Sequence, residues 1–329
     1  MGAMENFEKF YEEKLRIPLE KLEKKRKKVA GHIKIAWWTF AALTLLVIVI
    51  YWHQFVKEPP LLFFPASVLA VLCILTYKLF KKNYRKNFKK DVVSPLVKFI
   101  DDSMEYDSKA CIPKKIFLES RLFPSFNEYG GEDLVRGRRG ETDFMFSELF
   151  ARIARRDSKG NTRKTVVFEG VFFVSDFHKE FKGVTAILPQ HVFETSDSAY
   201  REGFGYAVKL EDPEFEKEFN VFGSDQVESR YVLSTSLMKR IVDYKRRTGQ
   251  VMSISFVNSK IFVAISWEET IAGKGGKFSV STRKNLFEPP VFSPLKGFET
   301  ASSYMEDVEV ILDIIDDLRL NRRIWLREA

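Results

Sequence analysis

Ile35 to Trp52 reads IAWWTFAALTLLVIVIYW, and Leu61 to Tyr77 reads LLFFPASVLAVLCILTY. Neither run carries a charge, and at about 18 and 17 residues both fall within the roughly 17–25 that cross a hydrocarbon core of about 30 Å. Lys34 and Lys78 extend each run by snorkelling their ammonium groups to the interface. A buried helix of a soluble core keeps a polar stripe, and these runs have none. Trp37, Trp38, Tyr51 and Trp52 lie near the two ends of the first run, at the depth amphipathic rings prefer. The link His53-Gln54-Phe55-Val56-Lys57-Glu58-Pro59-Pro60 is too short for a domain, and its two prolines suit a turn. Pro65 falls early in the second run, where a missing N–H costs least. The expectation is a two-span membrane hairpin.

Outward from the hairpin the charge sets the orientation. Segments 21–34 and 78–90 carry 14 of the 53 Lys and Arg against one acid, which leaves 39 against 44 in the rest of the chain. Lys24, Lys25, Arg26, Lys27, Lys28, Lys81, Lys82, Arg85 and Lys86 form the densest part of these collars. They are expected to face anionic headgroups from the cytoplasmic side of a bacterial inner membrane, with both termini inside. The net charge of +8 thus hugs the bilayer. It does not form the basic face on a folded domain that nucleic-acid binding needs, so no nucleic-acid partner is expected.

The remaining composition narrows the class further. Thirty-one Phe and an apolar fraction of 45% exclude wholesale disorder, while 30% charged residues exclude a polytopic transporter. Two cysteines make no disulfide scaffold. Met1-Gly2-Ala3 reads as a cloning remnant before Met4, and no secretory leader is expected. Residues 5–32 read as helix, with Phe7, Phe10, Tyr11 and Leu15 at helical spacing and Pro18 opening a second stretch. That helix lies either on the bilayer surface or against the protein's own domain. Residues 79–104 continue as helix, kinked or restarted at Pro95.

From about residue 110 the texture becomes short apolar runs between Gly, Pro, Asn and Ser. Thr142–Ile153, Thr165–Val174, Val184–Leu188, Tyr206–Leu210 and Gln226–Leu233 are expected as strands. Met252–Val257 and Lys260–Trp267 form a hairpin about Asn258-Ser259. One helix interrupts them, capped by Ser234 or Thr235, striped with Leu237, Met238, Ile241 and Val242, and stopped at Gly249. Phe215 and Phe219 fit a short helix docked on the sheet. Ser303-Tyr304-Met305-Glu306 reads as a capping box opening a last helix. Its Tyr304, Val308, Ile311, Ile315, Leu318, Arg322 and Trp325 follow a heptad-like spacing. That stripe either covers the protein's own sheet or joins a protein partner or a second copy.

The fold class expected is α+β: an N-terminal transmembrane helical hairpin, then a mainly antiparallel α+β cytoplasmic domain with a C-terminal helix. The boundaries fall at 1–34 for an amphipathic cytoplasmic helix, 35–80 for the hairpin, 81–109 for a basic juxtamembrane helix or linker, and 110–329 for the domain.

Chemistry is scarce. No G-x-x-x-x-G-K-[ST] or G-x-S-x-G motif exists, and Gly273-Lys274-Gly275-Gly276-Lys277 reads as a hairpin loop. His32 and His53 flank the first span, leaving His178 and His191 in the main domain. Asp176-Phe177-His178 offers two ligands on one strand face without a third nearby. No catalytic residue, metal ligand or cofactor is therefore named.

The strings 168–183 (FEGVFFVSDFHKEFKG), 209–219 (KLEDPEFEKEF), 224–233 (SDQVESRYVL) and 286–290 (LFEPP) resemble a bacterial membrane-anchored family catalogued as domain of unknown function family 3137. The resemblance covers most of residues 90–320. It implies a paired transmembrane hairpin followed by a cytoplasmic domain, with no established activity, cofactor or catalytic residue. Within these strings Asp176, His178, Asp225 and Arg230 are the candidate functional side chains, with an internal Arg–Asp pair organising the sheet as the plainer reading. The function expected is a membrane-tethered interaction or scaffold protein. The alternatives are a lipid-headgroup or small-ligand binding domain, and an enzyme of unrecognised class.

Overall fold

The computed structural model describes residues 2–50, 63–156, 160–190, 205–266, 268–273, 276–281, 286–291, 293–318 and 320. The expected turn at 53–60, His191, Trp267, Arg322 and Trp325 lie outside them. The chain divides into two compact units, one of residues 1–99 with Phe287–Tyr304, the other of Ile100–Leu286 with the chain from Met305 on.

In the first unit α1 (Gly2–Phe10), a π-helical turn (Tyr11–Leu15) and α2 (Arg16–Ile50) follow one another without a break. A second helix, α3 (Phe63–Phe88), packs along α2 and passes through a second π turn (Lys89–Val93) into α4 (Ser94–Ile100). Both π turns have one cause. Pro18 and Pro95 have no N–H, and their rings clash with the carbonyl four residues back, which is Lys14 and Asp91. Widening each turn relieves the clash, and the bonds that close it run from Arg16 N–H to Tyr11 O and from Ser94 N–H to Lys89 O, one residue longer than an α-helical bond.

Glu5–Ile50 is long and apolar enough to cross a membrane by length and composition, and its apolar window is almost wholly exposed. The segment before that window is different. Phe7, Leu15, Leu19, Leu22 and Ile33 are buried. Phe7 packs on Phe99 and Phe298, and Phe10 stacks on Phe99 at 4.2 Å between centroids. The apolar stripe of residues 5–32 is therefore occupied within the chain, which corrects the reading of a helix lying on the bilayer surface.

The second unit is α+β with an antiparallel sheet and a C-terminal helix. Its sheet strands are β1 (Glu105–Asp107), β2 (Glu128–Arg139), β3 (Thr142–Arg156), β4 (Thr162–Asp176), β5 (Val184–Pro189), β6 (Tyr206–Ala207), β7 (Phe219–Gly223), β8 (Met252–Val257) and β9 (Lys260–Ser266). They lie in the order β1-β2-β3-β4-β9-β8-β5-β7-β6, every pair antiparallel. A separate hairpin pairs β10 (Glu268–Gly273) with β11 (Gly276–Ser281). β8 and β9 turn at Asn258 and Ser259, both left-handed (φ 50° and 57°), the conformation a two-residue hairpin turn requires.

Four helices dress this sheet: α5 (Lys114–Glu119), α6 (Pro213–Glu218), α7 (Gln226–Val232) and α8 (Thr235–Thr248). The last helix, α9 (Phe298–Asp317), runs from the first unit into the second. From Gly170 to Ser175 β4 is buried without interruption, because both sheet faces are covered. Phe168, Phe172 and Val174 join the core under α5, while Val171 lines the opposite face with Ile265 and with Val310 and Ile311 of α9.

Two local readings are corrected. Gln226–Leu233 is helix α7, capped by Asp225, whose side chain accepts from Glu228 N. The last helix begins at Phe298, five residues before the expected cap at Ser303, because Gly297 turns left-handed (φ 55°) and Ala301 N–H already bonds Gly297 O.

Candidate functional site

The strings 168–183 and 224–233 meet in space. After β4 the chain runs through Phe177–Gly183 and clasps α7 at both ends. At its start the Glu228 carboxylate accepts from Lys182 N–H at 2.7 Å and Gly183 N–H at 2.6 Å. A Cβ at Gly183 would stand 2.2 Å from Glu228 Oε2, so any side chain there would push the carboxylate off these two amides. Ser224 Oγ accepts from Val184 N–H, and the Ser229 and Thr185 hydroxyls lie 2.9 Å apart. At the far end Lys179 Nζ donates to the carbonyls of Tyr231 at 2.9 Å and Val232 at 3.4 Å, over the Tyr231 ring. The last carbonyls of a helix have no intrahelical donors and carry the negative end of its dipole, so a cation belongs there.

Lys179 is only 3% exposed, and burial lowers its ammonium pKa to about 8. The ordinary lysine value is about 10.4, so between these limits the unfolded chain binds more protons and stability rises with pH. Tyr84, Tyr106, Tyr129 and Tyr244 act oppositely, because burial raises each phenol and stability is lost as pH climbs beyond about 10. Burial also raises the Cys111 thiol, which opposes the rise once pH passes the ordinary cysteine value of about 8.5. The expected profile therefore rises above pH 8 by less than about 1.4 kcal/mol per unit and turns over before about pH 10. Denaturant titration from pH 7 to 11 measures it, and Lys179→Met should flatten the rising limb while leaving the fall. A rising limb that survives the substitution would refute the assignment.

The four candidate side chains do not converge. His178 is left-handed (φ 48°), and its Nε2 lies 3.1 Å from Thr142 Oγ1, which donates to Leu320 O. Asp176 ends β4 opposite Lys260. Asp225 caps α7, and Arg230 Nη2 donates to Lys209 O at 3.3 Å. The Asp225 carboxylate and the Arg230 guanidinium are thus engaged separately, and the two do not form the expected pair.

The basic collars are corrected in part. Arg26 is buried, bonded through two nitrogens to Glu23 and through the third to Val291 O. Lys81 is paired with Glu288 at 2.7 Å. Lys24, Lys25, Lys27, Lys28, Lys82 and Lys86 are exposed as expected.

The α9 stripe is corrected as well. Val308, Ile311, Ile315 and Leu318 are buried within the chain. Arg247 ties α8 to Asp313 and Asp317, and Arg139 pairs with Asp316. Among the described residues these stripe positions pack within the chain itself.

Sequence reading missed one grouping. Glu132, Asp133 and Glu148 bring carboxylate oxygens within 4.8 Å of one another, a set suited to a hard cation. A β-bulge at 132–135 with Asp133 left-handed (φ 64°) produces it, and no spacing rule reveals such a bulge. Two of these groups hold protein donors: Tyr106 Oη donates a hydrogen bond to Asp133 at 2.5 Å, and Leu286 N–H donates to Glu148. A second feature is a pocket of about 240 Å³ lined by Val171, Arg247, Gln250, Ile265, Asp307 and Ile311, among others. It is smaller than the roughly 300–1,000 Å³ of ordinary ligand sites, and its one cation is already paired. Among the described residues none of these groupings joins a nucleophile, a base and an oxyanion donor.

Residues 166–320 match the family described as "Protein of unknown function (DUF3137)". No match was found among curated proteins. Among solved structures the chain is similar to the mycobacterial trehalose monomycolate transport factor A, TtfA. That likeness has 9% identity over 72% of this chain and 94% of that one, at a TM-score of 0.30, and supports no argument.

Proposed function

We propose that this chain, with a domain of that uncharacterised family over residues 166–320, is a non-enzymatic interaction protein tethered to a bacterial inner membrane by two spans, Ile35–Trp52 and Leu61–Tyr77. One observation carries the reading. Trp38, Leu45, Val49 and Ile50 on α2 and Val71 and Leu79 on α3 are each more than half exposed. Large apolar side chains at this density are solvated by lipid, because contiguous apolar patches on soluble proteins rarely exceed a few hundred Å². The exposed Lys24, Lys28, Lys82 and Lys86 flank these segments on the side that carries both termini, which supports a cytoplasmic domain.

A reporter fused after Ala329 should be active only inside the cell, and activity outside would overturn the orientation. Affinity purification of the full chain in mild detergent should recover a stoichiometric protein partner or a homo-oligomer. A lone monomer under several conditions would refute the interaction role. Because the α9 stripe is buried, an oligomer should survive Ile311→Ala.

A further inference from the structure

The two π turns open onto the same cleft. It measures about 450 Å³ and is lined by Lys14, Pro18, Lys21, Leu22, Lys25, Lys90, Asp91 and Pro95. π-helical residues make up well under 1% of protein chains and mark functional sites when they occur as single bulges. Here each bulge contributes its proline and a lysine, Pro18 with Lys14 and Pro95 with Lys90. The coincidence is a built feature of the fold, since each proline forces the turn that sets its lysine.

Charge makes the cleft selective. Four ammonium groups face one carboxylate, and none of Lys14, Lys21, Lys25 and Lys90 makes an ion pair among the described residues. Three acids of the same helical run are committed elsewhere, Glu12 and Glu20 to Arg16 and Glu23 to Arg26, and Glu13 is not among the residues lining the cleft. We propose that this cleft binds a compact anion bearing two phosphates, taken from solution. A phosphate carries about −1.5 to −2 at neutral pH, so two of them balance the surplus of four lysines over one aspartate. Among the described residues no aromatic ring lines the cleft, so none of them stacks a nucleobase. The volume lies within the roughly 300–1,000 Å³ of small-molecule sites.

Bilayer headgroups are too far away. Lys25 precedes Ile35 by ten residues, about 15 Å of helix at 1.5 Å per residue. Lys14 lies about twice as far from the apolar run, and Lys90 follows Tyr77 by about 20 Å. The headgroup layer is only about 5–8 Å thick on each side, and the Debye length is about 8 Å. This step rests on the membrane reading, whereas the cleft and its charge do not.

Titration calorimetry of the full chain in neutral detergent, with pyrophosphate as probe, tests the proposal. Pyrophosphate should bind at least tenfold tighter than orthophosphate. Lys21→Met with Lys90→Met, one lysine from each side of the cleft, should weaken it at least tenfold. The exposed pair Lys82→Met with Lys86→Met, outside the cleft, should leave it unchanged. Equal affinity for the two anions, or equal loss in both double variants, would reduce the cleft to a diffuse basic surface and overturn the proposal. Competition by phosphatidylglycerol nanodiscs would reassign the site to lipid and overturn it too. A C-terminal reporter found outside the cell would overturn the anchor orientation and leave these binding results standing.

Discussion

Leu43→Lys with Leu46→Lys should move the protein out of the alkaline-washed membrane pellet. Both side chains sit near the middle of the first apolar run and are more than half exposed, so the substitutions break no packing within the chain. Each lysine at the centre of a spanning helix costs about 2.5–3.5 kcal/mol and forfeits the roughly 0.5 kcal/mol of a leucine, so the pair costs about 7 kcal/mol. Two lysines on an exposed surface of a soluble protein would cost almost nothing. Quantitative blotting of pellet and supernatant distinguishes the cases, and an unchanged pellet fraction would sink the anchor.

Phe117→Ala carries the second large effect. The ring sits on α5, is 1% exposed, and lies within 6 Å of the rings of Phe123, Phe126, Tyr129, Phe168 and Phe172. α5 has only six residues, too few to be stable in isolation, and this ring is its one fully buried side chain. Truncating a buried phenylalanine costs about 3–5 kcal/mol, a large share of the 5–15 kcal/mol that a domain has. Denaturant unfolding of the full chain in mild detergent, followed by circular dichroism, should show a loss of about 4 kcal/mol. Phe117→Leu should cost less than about 1.5 kcal/mol. A loss under about 1 kcal/mol for the alanine variant would mean that α5 is not held by the cluster.

Elements whose signals lie within a few residues were legible. Ser234 accepts from Leu237 N–H, Gly249 is left-handed, and α8 lies between them with Leu237, Met238, Ile241 and Val242 buried. The Asn258-Ser259 turn was legible for the same reason. α7 was misread as a strand because Val227, Tyr231 and Val232 favour strands, although Asp225-Gln226-Val227-Glu228 held a capping signal. Tertiary context decided it: Lys179 and Glu228 fix the ends of this seven-residue helix, from partners about 50 residues apart. β2 was missed because its glycines and its bulge at 132–135 break the alternation that marks a strand. The cleft was invisible to motif reading, although each proline was noted as an interruption, because opposing Lys14 to Lys90 requires the packing of two helices.

The rod formed by α2 joins a half that packs within the chain to an exposed apolar half without a break in the helix. Glu23 accepts from Leu295 N–H and Arg26 donates to Val291 O, which fastens the polar half of the rod to the segment following Leu286. Glu23 lies twelve residues from Ile35, a lever arm of about 18 Å. Were lipid to lean the apolar half by the average 20° of spanning helices, the attachment points would swing sideways by roughly 6 Å. If the proposed span sits in lipid, bilayer thickness becomes a mechanical input to the stretch from Phe287 to Tyr304, delivered by the stiffness of the hydrogen-bonded helix.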